Sequence, residues 1–235
     1  MKFLTAEWRK LMMLNYEVDA SLLQPYVPYG TELDSFQGKL QLSLVAFMFL
    51  DTRLLACPIP FHRNFEEMNL RFYVRYKHGE EWRRGVVFIK EIVPKFMISF
   101  VANTVYGEHY ETLPMQHIIK TTKDTLHVEY HVKKAGSWHK IIVDASNQLM
   151  KLKAGSELEF ITEHYWGYTK LNETKTSQYE VGHPIWDIYP VNKYTLEGDF
   201  SQVYGAKFEF LNKAPDSVYL AEGSDIFVRM GGLIT

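Results

Sequence analysis

The chain has 235 residues, of which 46% are hydrophobic, and a formal net charge of −2 at pH 7. This length and apolar content predict one domain over residues 1–235 with a sizeable core. A near-neutral charge with a pI near 6.5 provides no basic surface for a nucleic acid, which excludes DNA and RNA as expected partners. The lone Cys57 cannot form an intramolecular disulfide, which favours a reducing, cytoplasmic compartment.

The first part of the chain predicts a short helix and then a buried strand. Asp19 stands where it can cap a helix through residues 22–23, and prolines and a glycine between 25 and 30 end that helix. A turn at 36–39 leads into the apolar run 42–50. This run is about half as long as a membrane-spanning helix, so we expect a buried strand and no membrane partner.

The middle of the chain predicts a long hairpin, a helix and three more strands. Two β-rich runs, 70–76 and 85–92, flank a polar segment, as in a hairpin. Pro94, a partial helical stripe from Phe96 to Val105, and Gly107 then predict a helix between 94 and 107. Alternating patterns predict three further strands, with a turn at 134–137, over 115–121, 125–132 and 138–143.

The last part of the chain predicts short strands and short helices. The helical patterns are a segment near 156–160 and one turn at 200–204. Strands are predicted around Tyr165, Gln178, Ile188, Phe208, Val218 and Phe227. Roughly ten strands with two or three short helices predict an α+β fold, whose mostly antiparallel sheet is curled or closed into a β-barrel with a few short peripheral helices.

Short motifs distributed over most of the chain resemble one known family. The order and spacing of these motifs are similar to those of the YqjF-like family of uncharacterised proteins, DUF2071. The matching residues are Trp8, Asn15-Tyr16, the segment 33–38, the segment 69–74, the segment 160–165, and the segment 183–186. The resemblance implies an acetoacetate decarboxylase-like fold, a curled β-barrel with a cavity inside, and it does not imply a function.

The same resemblance raises the question of a reactive lysine. Decarboxylases of the wider superfamily form a Schiff base on a lysine whose pKa is lowered by an adjacent lysine. By rough alignment that lysine would fall within 106–110, where this chain has none. The adjacent pair Lys133 and Lys134 lies beside a predicted hairpin turn instead, so Schiff-base chemistry is not expected.

Charged residues inside strongly apolar segments predict a buried polar pocket. Such charges pair with one another or line a cavity, because an isolated charge in a dry core is costly. On a strand, Asn69, Arg71 and Tyr73 share one face. If that face lines a cavity, Arg71 suits a carboxylate, phosphate or enolate oxygen. The alternative is that Arg71 pairs with Glu67, Glu163 or another carboxylate in a buried ion network.

The segment 160–168 carries further candidate residues. As a strand it would project Glu163 and Tyr165 together, with Thr162 and His164 on the opposite side. Desolvation would make Glu163 a general base, whereas contact with a guanidinium would make it a structural anchor. Both interpretations remain open at this stage.

The segment 182–186 places an imidazole beside an indole. His183 precedes Pro184, which favours extended backbone, and it lies three residues before Trp186. Its imidazole is either a proton carrier or a hydrogen-bonded core histidine.

Two classes of function follow. One is an enzyme that moves protons on a small carboxylate or carbonyl compound without a Schiff-base lysine, and the other is a noncatalytic small-molecule-binding protein. No cofactor and no metal are predicted, because His127 and His131 would lie about 13 Å apart on a strand. A homo-oligomer is left open. The predicted catalytic residues are Glu163, His183 and Tyr165, and the predicted ligand-binding residues are Arg71, Glu67, Asn69, Tyr73 and Trp186.

Overall fold

A computed structural model describes residues 2–58, 60–101, 103 and 107–235. These residues form long strands and a few short helices. The strands are β1 (Lys2–Glu17), β2 (Thr31–Leu33), β3 (Gln41–Leu54), β4 (Cys57–Pro58), β5 (Phe65–His78), β6 (Glu81–Val93), β7 (Tyr110–Thr112), β8 (Met115–Thr121), β9 (Thr125–Lys134), β10 (Ser137–Ser146), β11 (Trp166–Asn172), β12 (Lys175–Gly182), β13 (Ile188–Tyr189), β14 (Val191–Glu197) and β15 (Ser217–Ile234).

The helices are short and lie between strands. They are α1 (Ala20–Leu23), α2 (Phe96–Val101), α3 (Glu157–Thr162) and α4 (Phe200–Tyr204), with 3-10 turns at Gln24–Tyr26 and Ala206–Asn212. Among the described residues, no helix combines the length and the apolar character needed to cross a membrane.

Eleven strands form the main sheet, in the order β2-β5-β3-β1-β15-β12-β11-β6-β7, with β4 beside β3 and β13 beside β15. Since β5 also pairs with β6, the pairings run from β5 through β3, β1, β15, β12 and β11 to β6 and back to β5. The most extensive pairing in this ring is between β1 and β15. It runs from Lys2 opposite Arg229 to Asn15 opposite Ser217. A second sheet has the order β14-β10-β9-β8.

The main sheet is mixed, because two of its described pairings are parallel. Strand β6 pairs in parallel with β7 and with β11, while the other pairings are antiparallel. Each parallel partner returns to β6 after a crossover, the first through α2 and the second through the second sheet and α3. The expected antiparallel character therefore holds for most of the sheet, including the pairing of β6 with β5, and fails where β6 pairs with β7 and β11.

Alternation along β5 gives the main sheet two different faces. Leu70 and Phe72 pack in a hydrophobic cluster that also contains Val128 and Tyr130 of the second sheet. Tyr73 belongs to a separate cluster on the opposite face. Phe72 is completely buried, so its side chain contributes about 1.5 to 3 kcal/mol through the hydrophobic effect, and truncation to alanine would cost about 3 to 5 kcal/mol.

Several predicted elements are confirmed. The turn at 36–39 has Gln37 and Gly38 at positive φ, with paired backbone hydrogen bonds between Phe36 and Lys39. The predicted hairpin is β5 and β6, and the three strands of the alternating region are β8, β9 and β10. Strand β3 contains the apolar run, and α3 and α4 lie where short helices were predicted.

Other predicted elements are confirmed in part or needed correction. Helix α2 begins after Pro94 as expected and is described to Val101, while 102 and 104–106, Val105 among them, lie outside the described residues. Phe208 lies in a 3-10 turn, not in a strand. Val218 and Phe227 belong to one continuous strand, β15, where two were predicted. Asp19 does precede α1, but its side chain accepts no capping hydrogen bond.

Five strands were missed: the longer β1 and β14, and the short β2, β4 and β7. In β1, Glu7, Arg9 and Lys10 interrupt the apolar alternation, which hides the strand from pattern analysis. Arg9 and Glu7 form an ion pair with each other, and Lys10 bonds to Glu222 on the neighbouring strand β15. Strand β14 was missed because it is mostly polar and half-exposed.

Candidate functional site

A cavity of about 420 Å³ lies on the face of the main sheet that carries the cluster of Tyr73, opposite the face that packs on the second sheet. Strands β1, β3, β5, β6, β11, β12 and β15 contribute side chains to its lining, together with α2 and the segments after α3 and β12. The apolar lining includes Trp8, Phe47, Phe49, Phe65, Val86, Phe88, Trp166 and Trp186. The polar lining includes Glu67, Asn69, Arg71, Glu91, Glu108, Tyr110, Thr162, His164, Tyr179 and His183.

Arg71 on β5 brings a buried guanidinium to this cavity. The residue is only 7% exposed, and its Nη2 donates a long 3.5 Å hydrogen bond to the carbonyl oxygen of Ile161. Its Nε has no hydrogen-bond partner. No carboxylate oxygen of a described residue lies within 4.0 Å of the guanidinium, so the alternative in which Arg71 pairs with Glu67 or Glu163 is not observed.

Three carboxyl groups, which we call the acid cluster, lie on the same lining: Glu67 on β5, Glu91 on β6 and Glu108 just before β7. The Glu67 carboxylate accepts hydrogen bonds from Asn69 Nδ2 at 2.9 Å and from the Tyr110 hydroxyl at 3.2 Å. Glu67 and Glu91 are almost completely buried, at 3% and 2% exposure.

The other members of the acid cluster are positioned by neighbouring strands. Asn69 lies directly opposite Glu91 in the β5–β6 register, which brings Glu91 beside the Asn69–Glu67 pair. Glu108 accepts a hydrogen bond from the Thr169 hydroxyl at 2.7 Å and lies close enough to Glu91 to interact with it directly.

Burial controls the protonation of the acid cluster. It raises the pKa of Glu67 to about 7, although hydrogen bonds from Asn69 and Tyr110 and the charge of Arg71 oppose the shift. Burial also raises the pKa of Glu91 well above its usual value, and the negative charges of Glu108 and Glu67 raise it further. Burial is also the main cause that raises the pKa of Glu108. At neutral pH the acid cluster therefore retains protons.

Tyr110 and Tyr179 complete this end of the cavity. Burial raises the pKa of both phenols well above the usual value, and the nearby carboxylates add to the effect. Both therefore remain protonated and act as hydrogen-bond donors towards the acid cluster, Tyr110 to Glu67 and Tyr179 to Glu108.

A second charged group, Asp34 with Arg84 and His164, lies beside Tyr73, whose ring is 4.7 Å from the ring of His164. Arg84 Nε donates to Asp34 Oδ2 at 2.7 Å, and His164 Nε2 lies 3.3 Å from the same oxygen. Burial raises the pKa of Asp34, but hydrogen bonds from His164 and Arg84 outweigh this and hold it at about 2. Burial lowers the pKa of His164 to about 4. An ionised Asp34 can only accept, so Nε2 carries the proton of the neutral His164 ring.

His183 and Trp186 lie on the cavity lining, as two rings stacked 4.1 Å apart. His183 Nδ1 donates to the carbonyl oxygen of Pro184 at 2.9 Å, so the lone pair of the neutral ring is on Nε2. Burial lowers the pKa of His183 to about 4, which keeps the ring neutral at pH 7. The indole of Trp186 donates to the Ser224 hydroxyl at 2.9 Å.

Glu163 and Tyr165 do not belong to the described cavity lining, whereas Thr162 and His164 do. The expected strand geometry is wrong here, because α3 continues to Thr162 and Glu163 is its C-cap residue. The Tyr165 hydroxyl donates to the Glu163 carboxylate, and the Tyr165 ring lies 4.9 Å from the His183 ring. The Tyr165 ring thus packs against His183, and the catalytic roles predicted for Glu163 and Tyr165 stay predictions.

Of the predicted ligand-binding residues, Glu67, Asn69, Arg71 and Trp186 lie on the described lining. Tyr73 lies behind it, completely buried, with its hydroxyl hydrogen-bonded to Ser43 at 2.6 Å.

Sequence reasoning missed six of the polar lining residues named above: Thr162 and His164, which it placed only opposite Glu163 and Tyr165, and Glu91, Glu108, Tyr110 and Tyr179. Glu91 carried a usable signal, since it is a charge within an apolar strand, as Arg71 is. Glu108 and Tyr110 lie in the segment that was considered only for a lysine, and Tyr179 carried no comparable signal. No lysine is among the described lining residues, and Lys90 points away from the cavity to Glu111 and the carbonyl oxygen of Val203.

Solved structures identify the fold as acetoacetate decarboxylase-like. Acetoacetate decarboxylase from Legionella pneumophila superposes with a TM-score of 0.69 at 14% identity, over 99% of this chain and 87% of the other. An acetoacetate decarboxylase-like enzyme from Sphingomonas wittichii RW1 gives 0.63 at 14% identity, over 100% and 93%. MppR, an enduracididine biosynthesis enzyme complexed with pyruvate, gives 0.64 at 11% identity, over 99% and 89%. At these identities the likeness concerns the fold alone.

The family is established by sequence. Residues 5–225 match the model of DUF2071, described as an uncharacterized conserved protein, so the chain belongs to the DUF2071 family. The uncharacterized protein YqjF of Bacillus subtilis (strain 168) is 39% identical over 71 residues. That match spans 30% of this chain and 29% of the relative's length.

Proposed function

We propose that the protein binds a small anionic molecule, a carboxylate or a carbonyl-containing acid, inside the cavity, with Arg71 as the anion-binding group. The observation that carries the proposal is the state of Arg71: a buried guanidinium on a cavity of about 420 Å³ without a carboxylate partner in the described chain. We further infer that the ring of paired strands acts as a closed barrel around this ligand.

An unpaired buried charge is costly, which is why such a group is normally neutralised by a partner. Arg71 cannot lose its proton, since a guanidinium remains charged at any ordinary pH. A ligand carboxylate would supply the missing partner through two parallel charge-assisted hydrogen bonds. The aromatic lining would cover the rest of a small ligand, and Trp186 offers it a flat apolar surface.

Proteins of the same fold support a ligand of this class. MppR is complexed with pyruvate, a small keto acid, in a solved structure, and two other neighbours carry the name of acetoacetate decarboxylase. Glu67 and Asn69 would line the same ligand. The acid cluster would meet its carbonyl oxygen with a protonated carboxyl group rather than with a lysine.

The test is a binding panel measured by isothermal titration calorimetry with pyruvate, acetoacetate and the uncharged ketone acetone. We expect the two acids to bind and acetone to bind much more weakly. Arg71→Met should weaken the affinity for both acids by at least about tenfold, since it removes a charge-assisted hydrogen-bond pair.

Arg84→Met is the matched control, because it removes a guanidinium that already has a carboxylate partner. It should leave the affinity for the acids within a few-fold of the unmodified protein. Unchanged affinity in Arg71→Met, or equal losses in both variants, would overturn the role of Arg71.

Proton-transfer catalysis on the same ligand is the second candidate function. It is favoured by His183, a neutral imidazole on the lining whose Nδ1 proton is held by a carbonyl, which leaves Nε2 as the acceptor. In this proposal Tyr165 packs against the His183 ring and Glu163 holds Tyr165.

The test is incubation of the keto acids in D₂O. In the presence of the protein, the protons on the carbon next to the ketone should exchange for deuterium. Exchange should be lost in His183→Gln while binding persists, and exchange that survives this variant would contradict the assignment.

A further inference from the structure

The acid cluster leaves two buried acceptors without donors. Asn69 is 1% exposed, and its Nδ2 donates to Glu67 while its Oδ1 has no hydrogen-bond partner. Glu91 is 2% exposed, and its Oε2 also lacks a partner. The two residues face each other across the β5–β6 register, so both acceptors belong to one place on the cavity lining.

The neighbouring donors are already used. The hydroxyls of Tyr110 and Thr169 donate to Glu67 and Glu108, and Tyr179 interacts with Glu108. Each hydroxyl has a single proton, and the proton that Glu91 keeps lies in its hydrogen bond with Glu108, so Asn69 Oδ1 and Glu91 Oε2 stay without a donor. A buried acceptor without a donor is unfavourable, and this is a reason for a ligand donor to bind here.

We propose that the acid cluster and Asn69 bind an ammonium group, so that the ligand of the cavity is a zwitterionic small molecule of the amino acid class. An ammonium group has three donors and no acceptor, which matches the two unpartnered oxygens and a third carboxylate oxygen. The inference rests on the proposed function, because Arg71 must hold the anionic end of the same ligand.

The positions on β5 fit a ligand with two opposite charges. Asn69 and Arg71 are two residues apart on one face of the strand, about 6.6 to 7 Å along its axis. Both side chains reach the same cavity. A small molecule with its carboxylate and ammonium a few bonds apart can therefore contact both groups at once.

Charge balance within the cavity also favours a zwitterion. Three carboxyl groups share the lining with one guanidinium, and their burial keeps protons on the acid cluster. A monoanionic ligand would neutralise Arg71 and leave the carboxyl groups protonated, with the two unpartnered acceptors still without a donor. A zwitterion would neutralise Arg71 and, through its ammonium, allow a further carboxyl group to ionise, so its binding should release protons to the buffer.

The experiment compares propionate with alanine and β-alanine, which have the same carbon skeleton with and without an ammonium group. Calorimetry is done at pH 7 in two buffers of different ionisation enthalpy. We expect alanine or β-alanine to bind at least about tenfold more tightly than propionate, because a charge-assisted contact is added. We also expect a net release of protons with the amino compound only.

Two isosteric variants and a control assign the effect to the acid cluster. Glu91→Gln should cancel the preference for the amino compound and the proton release, and Glu108→Gln serves the same purpose if the first variant does not fold. Glu129→Gln, on the second sheet and outside the lining, should retain both.

Equal or weaker binding of the amino compounds would overturn the inference. If propionate still binds and depends on Arg71, the proposed function stands without it. If neither propionate nor the amino compounds bind, the proposed function fails and the inference fails with it.

Discussion

Arg71 and Arg84 lie on paired strands, yet they have opposite surroundings. Arg84 is about a third exposed and donates to Asp34, which also accepts from His164. Arg71 is buried, borders the cavity and has no carboxylate partner in the described chain. The charge with a protein partner stabilises the fold, whereas the charge without one is available for a ligand. The variants below test this distinction.

Removal of Asp34 should have the largest effect on stability. In Asp34→Ala, Arg84 and His164 lose their shared acceptor, which we expect to lower the free energy of unfolding by about 2 to 4 kcal/mol at pH 7. Because the pKa of Asp34 is held at about 2 in the folded state, its contribution is present above the usual carboxyl range and is lost as the pH falls towards 2. Urea denaturation at several pH values measures both effects. Asp51→Ala removes an exposed ion pair and should lower the free energy of unfolding by clearly less than Asp34→Ala does. Equal losses in the two variants would contradict the structural role given to Asp34.

Glu67→Gln should change the pH dependence of stability. The folded-state pKa of Glu67 is raised to about 7, so the folded protein holds more protons than the unfolded chain between the usual carboxyl range and pH 7. Its contribution to stability is therefore full at low pH and declines as the pH rises, by up to about 1.4 kcal/mol per pH unit. The variant should lose this decline and gain stability over the unmodified protein from pH 5 to pH 7. Parallel pH curves for the two proteins would show that Glu67 is not the group responsible.

Arg71→Met should leave stability unchanged or raise it by about 1 kcal/mol, since it replaces an unpaired buried charge by an apolar side chain of similar length. Urea denaturation without ligand provides the value. A loss of several kcal/mol would instead identify Arg71 as a structural anchor, and would restore the ion-network alternative.

Arg84→Met should have the smallest effect on stability, a loss of less than about 1 kcal/mol, because its guanidinium is partly solvated and Asp34 keeps His164 as a partner. The positive charge of Arg84 contributes to lowering the pKa of His164, so the variant should also raise that pKa. Titration of the His164 ring by NMR detects the shift. An unchanged His164 titration would mean that Arg84 acts on Asp34 alone.

Local patterns predicted much of the sheet and only part of the candidate site. The hairpin β5–β6 and the three strands β8 to β10 follow from alternation and turn residues, which act over a few neighbours. Strand β1 escaped because its charged residues find partners on β15, more than two hundred positions away in the chain.

The cavity shows the same limit. Arg71, Asn69 and Glu67 could be chosen because one strand aligns them on one face. Glu108 comes to them from a different segment, and only the pairing of β6 with β7 brings it near Glu91. Glu163 was misplaced because the end of α3 lies one residue before it, and helix ends are poorly determined by sequence.

The pairing of β1 with β15 has a consequence for folding during synthesis. Strand β1 has its two neighbours in β3 and β15, and β15 follows every other described strand in the chain. Until β15 emerges from the ribosome, β1 and β12 each present an unpaired edge and the cavity has no complete wall. The ring therefore closes only after translation of β15, and such long-range pairing folds slowly. A nascent chain that lacks β15 should be sensitive to proteases and dependent on chaperones, whatever ligand is present.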